Sequence, residues 1–407
     1  MQIDFISILL FLMFSVGHTA LVIAITNRLH ALPMPVWILH RIRQFHDVVI
    51  VIVPVLFAWF QGVHGPQLFL SGWHWASLSI PLQIYLGVCG AFFLALPGVA
   101  IYRSLLKTPQ QLSCRSKLID VAEELGFRPV GPGPYQFFTK IPGNEFLKLE
   151  ICEKEFQLPR LPAGWDGLKI LHLSDLHYIG TVDRPYFEKV VEHAQSLPAD
   201  LIVMSGDLLD REDLVSWLPA TLGKLSAPLG CYFVLGNHDS YLTNVSEIRE
   251  HMERLGWHDL AGHTVVVQHQ GQSLVLCGSE RPWMGTQPDL AHVPAGAFRL
   301  FVSHTPDNLH WAKQHDIDLM LAGHNHGGQI RLPWFGPVYS PSAYGAHFAS
   351  GVFYREPTLL HVSRGIAGRH PLRLNCPPEL IRLTLRAGGS MTKPNNNSSP
   401  PHSATSS

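Results

Sequence analysis

Five apolar runs in this chain each end in residues able to hold a metal ion. KILHLSDLH closes on Asp175 and His177, LIVMSGD on Asp207, YFVLGNHD on Asn237 and His238, LFVSH on His304, and LMLAGHNH on His324 and His326. The donor set Asp175, His177, Asp207, Asn237, His304, His324 and His326 mixes oxygen with nitrogen and lacks cysteine. Such a set favours Mn²⁺, with Fe and Zn²⁺ as alternatives, in five- or six-fold coordination. Calcium would want more oxygen.

These side chains are too many for one ion that must leave room for substrate, whereas a carboxylate shared between two ions divides them evenly. Asp207 takes the shared position. One ion draws on Asp175, His177, Asp207 and His326, and the other on Asp207, Asn237, His304 and His324. Two divalent ions so held activate water near neutral pH and clamp the oxygens of an in-line displacement at phosphorus, so hydrolysis of a phosphate ester is the natural chemistry. His238 is surplus to the ligand set and free to protonate a leaving oxygen or to stabilise phosphoryl charge. Asp210, in GDLLD, either orients that imidazole or caps a turn. Arg211 reads as a solvated surface arginine. With 24 histidines in the chain, a lone one carries little weight, and His172, His193, His263 and His310 read as surface or satisfied core residues.

The elements that must position these groups alternate from about 148 to 260 between short apolar runs and amphipathic helices. Asp183 caps a helix with Pro185 in its first turn and Phe187, Val190, Val191 and Ala194 on one face. A second helix lines up Val245, Ile248, Met252 and Leu255 and closes at Gly256. Beyond 260 come hairpin-like strands around Gln270-Gly271, a helix near 307–315, and strands at 358–363 and 380–385. The fold class is α/β with mixed sheets, the donors falling at the carboxyl ends of strands.

The first hundred residues are of another kind. Residues 3–26 carry one charge, Asp4, and residues 76–102 none, each stretch exceeding the about 20 residues that cross a bilayer core. Between them Val48 to Phe60 is apolar and continues through Gln61, His64 and Gln67, so a middle span is expected at about 48–70. Arg28, Arg41 and Arg43 follow the first span, and Arg103, Lys107, Arg115 and Lys117 follow the third, while 61–75 has no Lys or Arg. Positive charge stays on the cytoplasmic side, which implies three spans, an outside N-terminus and residues 103–407 in the cytoplasm. The first span lacks a basic leader and a small-x-small cleavage site, and is read as retained. A multi-pass protein of the inner (cytoplasmic) membrane follows.

Residues 104–147 read as a juxtamembrane connector with one helix along Leu118, Val121, Ala122 and Leu125, residues 148–386 as the catalytic domain, and 387–407 as a disordered polar tail. The six cysteines form no C-x-x-C pair, which suits a reducing compartment. A net charge of −1 offers nucleic acid no footprint. The basic residues beside the third span are read as topology signals rather than lipid ligands.

SDLH, GD, GNHD, SHTP and GHNH together resemble the motif series of the calcineurin-like metallophosphoesterases. The extended GHNHGGQIRLP, with PLRLNCPPE, is similar to a bacterial membrane-associated branch that includes UDP-diacylglucosamine pyrophosphatases. The resemblance covers about 160–386. It implies a two-sheet β sandwich flanked by helices, here preceded by three transmembrane helices. It also implies the metal assignments above and His238 as the catalytic histidine.

A membrane anchor points to a substrate at the inner leaflet, such as a lipid-linked pyrophosphate. Trp334, Phe335, Tyr339, Tyr344 and Phe348 could either meet acyl chains or close a core beneath a long loop. The alternatives are a tethered phosphatase of soluble nucleotides or phosphoproteins, and a non-enzymatic metal-binding sensor. The complete donor set disfavours the last.

Overall fold

The computed structural model describes residues 4–106 and 108–388. Lys107 and, beyond Gly388, the expected polar tail lie outside them.

The N-terminal part builds α1 (Phe5–His30), α2 (Val36–Phe57), a short α3 (Leu68–Ser71) and α4 (Ile80–Leu105). Segments Phe5–His30, Trp37–Val63 and Ile80–Arg103 are long and apolar enough to cross a membrane. Asp4, the one charge in the first stretch, is the N-cap of α1, its carboxylate accepting from the backbone of Ile6 and Ser7 at 3.3 and 3.2 Å. Gly17 lets α1 and α4 touch: a Cβ there would stand 1.9 Å from the Cys89 carbonyl oxygen.

One expectation is corrected here. The second long helix starts at Val36 rather than near 48, so Arg41 and Arg43 lie on α2 and not in a loop after α1. The reason is amphipathicity: its early turns mix polar His40, Arg41, Arg43, Gln44 and Asp47 with apolar Trp37, Ile38, Leu39, Ile42 and Phe45 but are still helical, and only the later turns are uniformly apolar.

The strands are β1 (Gln111–Asp120), β2 (Lys148–Leu158), β3 (Lys169–Leu173), β4 (Leu201–Ser205), β5 (Cys231–Val234), β6 (Trp257–Asp259), β7 (Thr264–His269), β8 (Gln272–Ser279), β9 (Phe298–Ser303), β10 (Leu319–Ala322), β11 (Arg331–Leu332), β12 (Gly336–Pro337), β13 (Gly351–Arg355), β14 (Thr358–Val362) and β15 (Glu379–Ala387). A seven-stranded sheet runs β1-β2-β15-β3-β4-β5-β6, a six-stranded sheet runs β13-β14-β10-β9-β8-β7, and β11 pairs with β12. β1 differs from expectation. Residues 111–120 pair with β2 at the sheet edge, and the helix expected from Leu118 is confined to α5 (Val121–Leu125). A mostly exposed edge strand needs little apolar residue, so QLSCRSKLID carries little hydrophobic signal.

Strand alternation sorts the core into layers. Ile170, Leu201, Val203 and Val234 face Leu276, Leu300, Val302 and Leu321 between the sheets. Leu171, Leu173, Ile202, Met204 and Phe233 face outward. They meet Phe187, Val190 and Val191 of α6 (Arg184–Gln195) and Ile248 and Met252 of α7 (Val245–Arg254). On the other side Phe301, Met320 and Leu360 cover Leu309 and Ala312 of α8 (Leu309–Gln314). Asp183 and Asn244 cap α6 and α7.

The long helices dock on this sandwich by their ends. Asn27 Oδ1 accepts from Ser340 N at 3.1 Å, Arg103 donates to the Pro337 carbonyl at 3.1 Å, and the Thr108 hydroxyl donates to the Val352 carbonyl at 2.8 Å. The aromatic stretch divides accordingly. Tyr339 packs on His30 with ring centroids 6.2 Å apart and Phe348 is buried, whereas Trp334 is 93 % exposed.

Gly17→Ala should therefore force α1 and α4 apart and destabilise the helical bundle by about 1–3 kcal/mol, as overpacking does. Thermal unfolding of the detergent-solubilised protein checks it; an unchanged midpoint would contradict the close approach.

Candidate metal centre

β3, β4, β5, β9 and β10 all release their chains at one end of the sandwich, and each hands a donor to the same point. Asp175, His177, Asp207 and His326 offer ligand atoms within 4.8 Å of one another, and so do Asp207, His304 and His324. Asn237 joins the second group, its Oδ1 3.1 Å from His304 Nε2. All the donors predicted from sequence are thus brought together. Asp207 alone belongs to both clusters: its Oδ2 lies 3.3 Å from His177 Nε2 and 3.2 Å from His304 Nε2.

The backbone is bent to make this possible. Asp175, His177, Asp207, His324 and His326 all have left-handed conformations, with φ of 54°, 47°, 55°, 70° and 49°. Each such residue costs on the order of 1–3 kcal/mol and persists only where its surroundings over-determine it. Two glycines permit the approach. A Cβ on Gly236 would lie 2.1 Å from Asp207 Oδ1, and one on Gly323 would lie 2.4 Å from Asp175 Oδ2.

The donor atoms fit a pair of ions. Nitrogen and oxygen ligands at about 2.0–2.2 Å from an ion stand about 3.0–3.5 Å apart along its polyhedron edges. His177 Nε2 to His326 Nε2 and His304 Nε2 to His324 Nδ1 are both 3.1 Å. The outer nitrogens select the tautomers. His177 Nδ1 donates to Asp210 Oδ2 at 2.7 Å, His304 Nδ1 to the Ser205 carbonyl at 2.8 Å, and His324 Nε2 to the Pro341 carbonyl at 2.9 Å. In each neutral imidazole the lone pair is left on the nitrogen that faces the cluster. Asp207 Oδ1 accepts from His238 N at 2.9 Å, while its buried Oδ2 has no hydrogen-bond partner among the described residues.

Electrostatics favour a cation at the centre. Burial opposes charge on His304, yet Asp207 raises it to about 9. Burial, with His304 alongside, holds His324 down to about 3. Carboxylates that draw a proton onto a buried imidazole would equally stabilise a metal ion.

His238 stands beside the donors. Its Nδ1 meets Asp210 Oδ1 at 2.6 Å, so Asp210 holds His238 with one oxygen and His177 with the other. Burial works against protonated His238, but Asp210 and then Asp207 raise it above the usual imidazole range. Arg211, as expected, pairs at the surface with Asp213 at 2.7 Å. His172 is a satisfied core residue, 2.9 Å from the Ser205 hydroxyl.

A family model described as calcineurin-like phosphoesterase matches residues 168–328. A transmembrane protein with metallophosphoesterase domain from Bos taurus is 32% identical over 337 residues, covering 73% of this chain and 72% of its own. The chain belongs to the calcineurin-like metallophosphoesterases. A Bacillus subtilis relative known only as an uncharacterized metallophosphoesterase is 29% identical over 248 residues, 59% of this chain and 86% of its own. A UDP-2,3-diacylglucosamine pyrophosphatase of Chlamydia muridarum is 27% identical over 293 residues, 57% of this chain and 88% of its own. Enzymes of this family typically bind two divalent ions, and the two clusters around Asp207 are the candidate sites for them here.

Several positioning residues escaped the sequence reading although its motifs contain them. Asp239, the last residue of GNHD, accepts from Leu208 N at 3.0 Å, Leu209 N at 2.9 Å and Gly236 N at 2.8 Å, pinning the β4 and β5 loops together. Arg373 of PLRLNCPPE is fully buried and donates to the His326 carbonyl at 2.9 Å. Glu379, which ends that motif, takes Lys154 at 2.6 Å and Arg364 at 3.1 Å in the core beneath the donors.

Asp239→Asn replaces an oxygen that accepts from backbone N–H with an amide that cannot, leaving a buried donor unpaired at about 1–3 kcal/mol. A lower melting temperature together with reduced metal content is expected; full metal occupancy and unchanged melting would contradict the pinning role.

Proposed function

We propose that this metallophosphoesterase is a membrane-anchored phosphodiesterase or pyrophosphatase, with its catalytic domain on the cytoplasmic side of the inner membrane and a lipid-linked substrate such as UDP-diacylglucosamine. The observation that carries the catalytic part is Asp207 Oδ2, equidistant within 0.1 Å between one histidine of each donor cluster, at 3.3 and 3.2 Å. On this reading Asp175, His177, Asp207 and His326 hold one divalent ion, and Asp207, Asn237, His304 and His324 the other. Mn²⁺ suits the oxygen and nitrogen set best, with Fe or Zn²⁺ as alternatives. When bound, the ions supply Lewis-acid activation of water and charge stabilisation at phosphorus.

The protein's own residues do the rest. His238, held through Nδ1 by Asp210, leaves its Nε2 for the leaving oxygen, and Asp210, then Asp207, favour its protonated form against the cost of burial, as a general acid requires. Asp210 couples the two histidines, so the acid stays in register with the ligand His177.

Membrane location is supported by the three apolar segments and by the transmembrane relative. Arg28, Arg41, Arg43 and Arg103 all belong to the helix ends turned toward the sandwich, in keeping with a cytoplasmic catalytic side. The lipid-linked substrate is supported by the chlamydial relative's name and by exposed Trp334 on the β11–β12 hairpin, which adjoins Arg103 at the end of α4.

The purified full-length protein with Mn²⁺ should cleave UDP-diacylglucosamine in preference to a generic diester, a monoester and a phosphopeptide. Much faster cleavage of soluble diesters in detergent would sink the lipid assignment. Asp207→Asn should lose both metals and activity. His238→Ala should keep its metals, by elemental analysis, while turnover falls by roughly 10² or more; an empty site in that variant would make His238 a ligand instead.

A further inference from the structure

Helix α2 is longer than a membrane requires. With the π-helical turns Ala58–Val63 that continue it, the helical segment Trp37–Val63, 27 residues, extends about 40 Å at about 1.5 Å per residue, against about 30 Å of hydrocarbon. The surplus lies in the first turns, where charged Arg41, Arg43 and Asp47 are unsuited to hydrocarbon. Those turns carry a stripe with the i, i+3, i+4, i+7 spacing of one helix face: His40, Arg43, Gln44 and Asp47. All four line the same cavity of about 350 Å³ as Asp207 and His238. Arg41, off the stripe, does not.

Across this cavity stand Arg369 and His370. Arg369 is engaged by Asp210 only at 3.7 Å, and among the described residues Arg43 makes no ion pair or hydrogen bond. Burial, followed by the charges of Arg43 and Arg369, holds His370 down to about 4. Two guanidinium groups therefore face one stretch of cavity whose own acidic residue on the stripe is Asp47. The volume exceeds what one phosphoryl group needs and falls in the range of about 300–1,000 Å³ typical of small-molecule pockets.

We infer that the 40–47 stripe of α2 is the second wall of the catalytic pocket, and that Arg43 together with Arg369 binds a further anionic group of the substrate, beyond the phosphoryl group attacked at the metal centre. The substrate class is a phosphate diester or anhydride carrying a second negative charge. The inference rests on the phosphoesterase reading of the site, and it makes the helical bundle part of substrate recognition. Guanidinium suits this task because it offers a charged, forked set of donors to phosphate oxygens.

The test uses the full-length protein in detergent, with bis(p-nitrophenyl) phosphate as substrate and uridine monophosphate or diphosphate as competitive inhibitor. Arg43→Ala should weaken inhibition by the diphosphate by about tenfold and by the monophosphate by about twofold or less, as for one lost charge-assisted contact. Arg43→Lys, which keeps the charge but not the fork, should recover only part of the lost discrimination between the two inhibitors, and Arg41→Ala should change neither inhibitor. Equal weakening of both inhibitors, or none, overturns the subsite, since a merely structural role moves both alike. Failure of the wild type to hydrolyse the diester is a separate result that overturns the underlying phosphoesterase reading and the subsite with it.

Discussion

The structure is organised around one buried oxygen, Asp207 Oδ2, which is left without a hydrogen-bond partner among the described residues. Withholding a partner from a buried charged oxygen costs at least about 1–3 kcal/mol, and any nearby N–H would relieve it. The surroundings prevent that relief. Oδ1 is occupied by the His238 amide, and the Leu208 and Leu209 amides are taken by Asp239. In their neutral, metal-ready forms the flanking histidines, His177 and His304, commit their single N–H groups to Asp210 and to the Ser205 carbonyl. Lone pairs converge there because every competing donor is engaged elsewhere.

Holding such a cluster requires backbone that no regular element provides. The strands end, and in the next residues the chain passes through left-handed conformations at five of the donors. The two packed sheets supply the rigidity that sustains this strain, with apolar layers between the sheets and under α6 and α7. Beneath the donors, buried Lys154 and Glu379 with partly buried Arg364 tie β2, β15 and the segment after β14 together. A buried charge group of this kind adds little net stability, but breaking it by removing one member is costly.

Much of this was legible in the chain. The donors stood out because each follows a run of buried strand residues, a pattern that survives without any knowledge of pairing. His238 was separable from the ligands because the donor set was complete without it. What could not be read depends on partners distant in sequence. The left-handed backbone at His177 or His326 leaves no mark on residue type, and Asp239 looks like any turn aspartate until the β4 loop is seen against it. The edge strand β1 is too polar to announce itself. The early turns of α2 resembled a basic loop because they carry His40, Arg43, Gln44 and Asp47, which face a cavity made by other parts of the chain. Secondary structure follows local pattern; the second wall of the pocket does not.

The sheet order has a consequence for how the molecule is made. β15 lies between β2 and β3 and contributes Glu379 to the core beneath the donors. During synthesis from the N-terminus, the long helices, β1, β2 and every candidate metal donor leave the ribosome before β15 does. Until then β2 and β3 have no hydrogen-bonded neighbour between them, Lys154 has no buried carboxylate, and the two halves of the seven-stranded sheet cannot join. The centre is therefore completed late, by a strand that donates no metal ligand, so β15, the last strand among the described residues, acts as the closing keystone of a site whose chemistry was specified long before it.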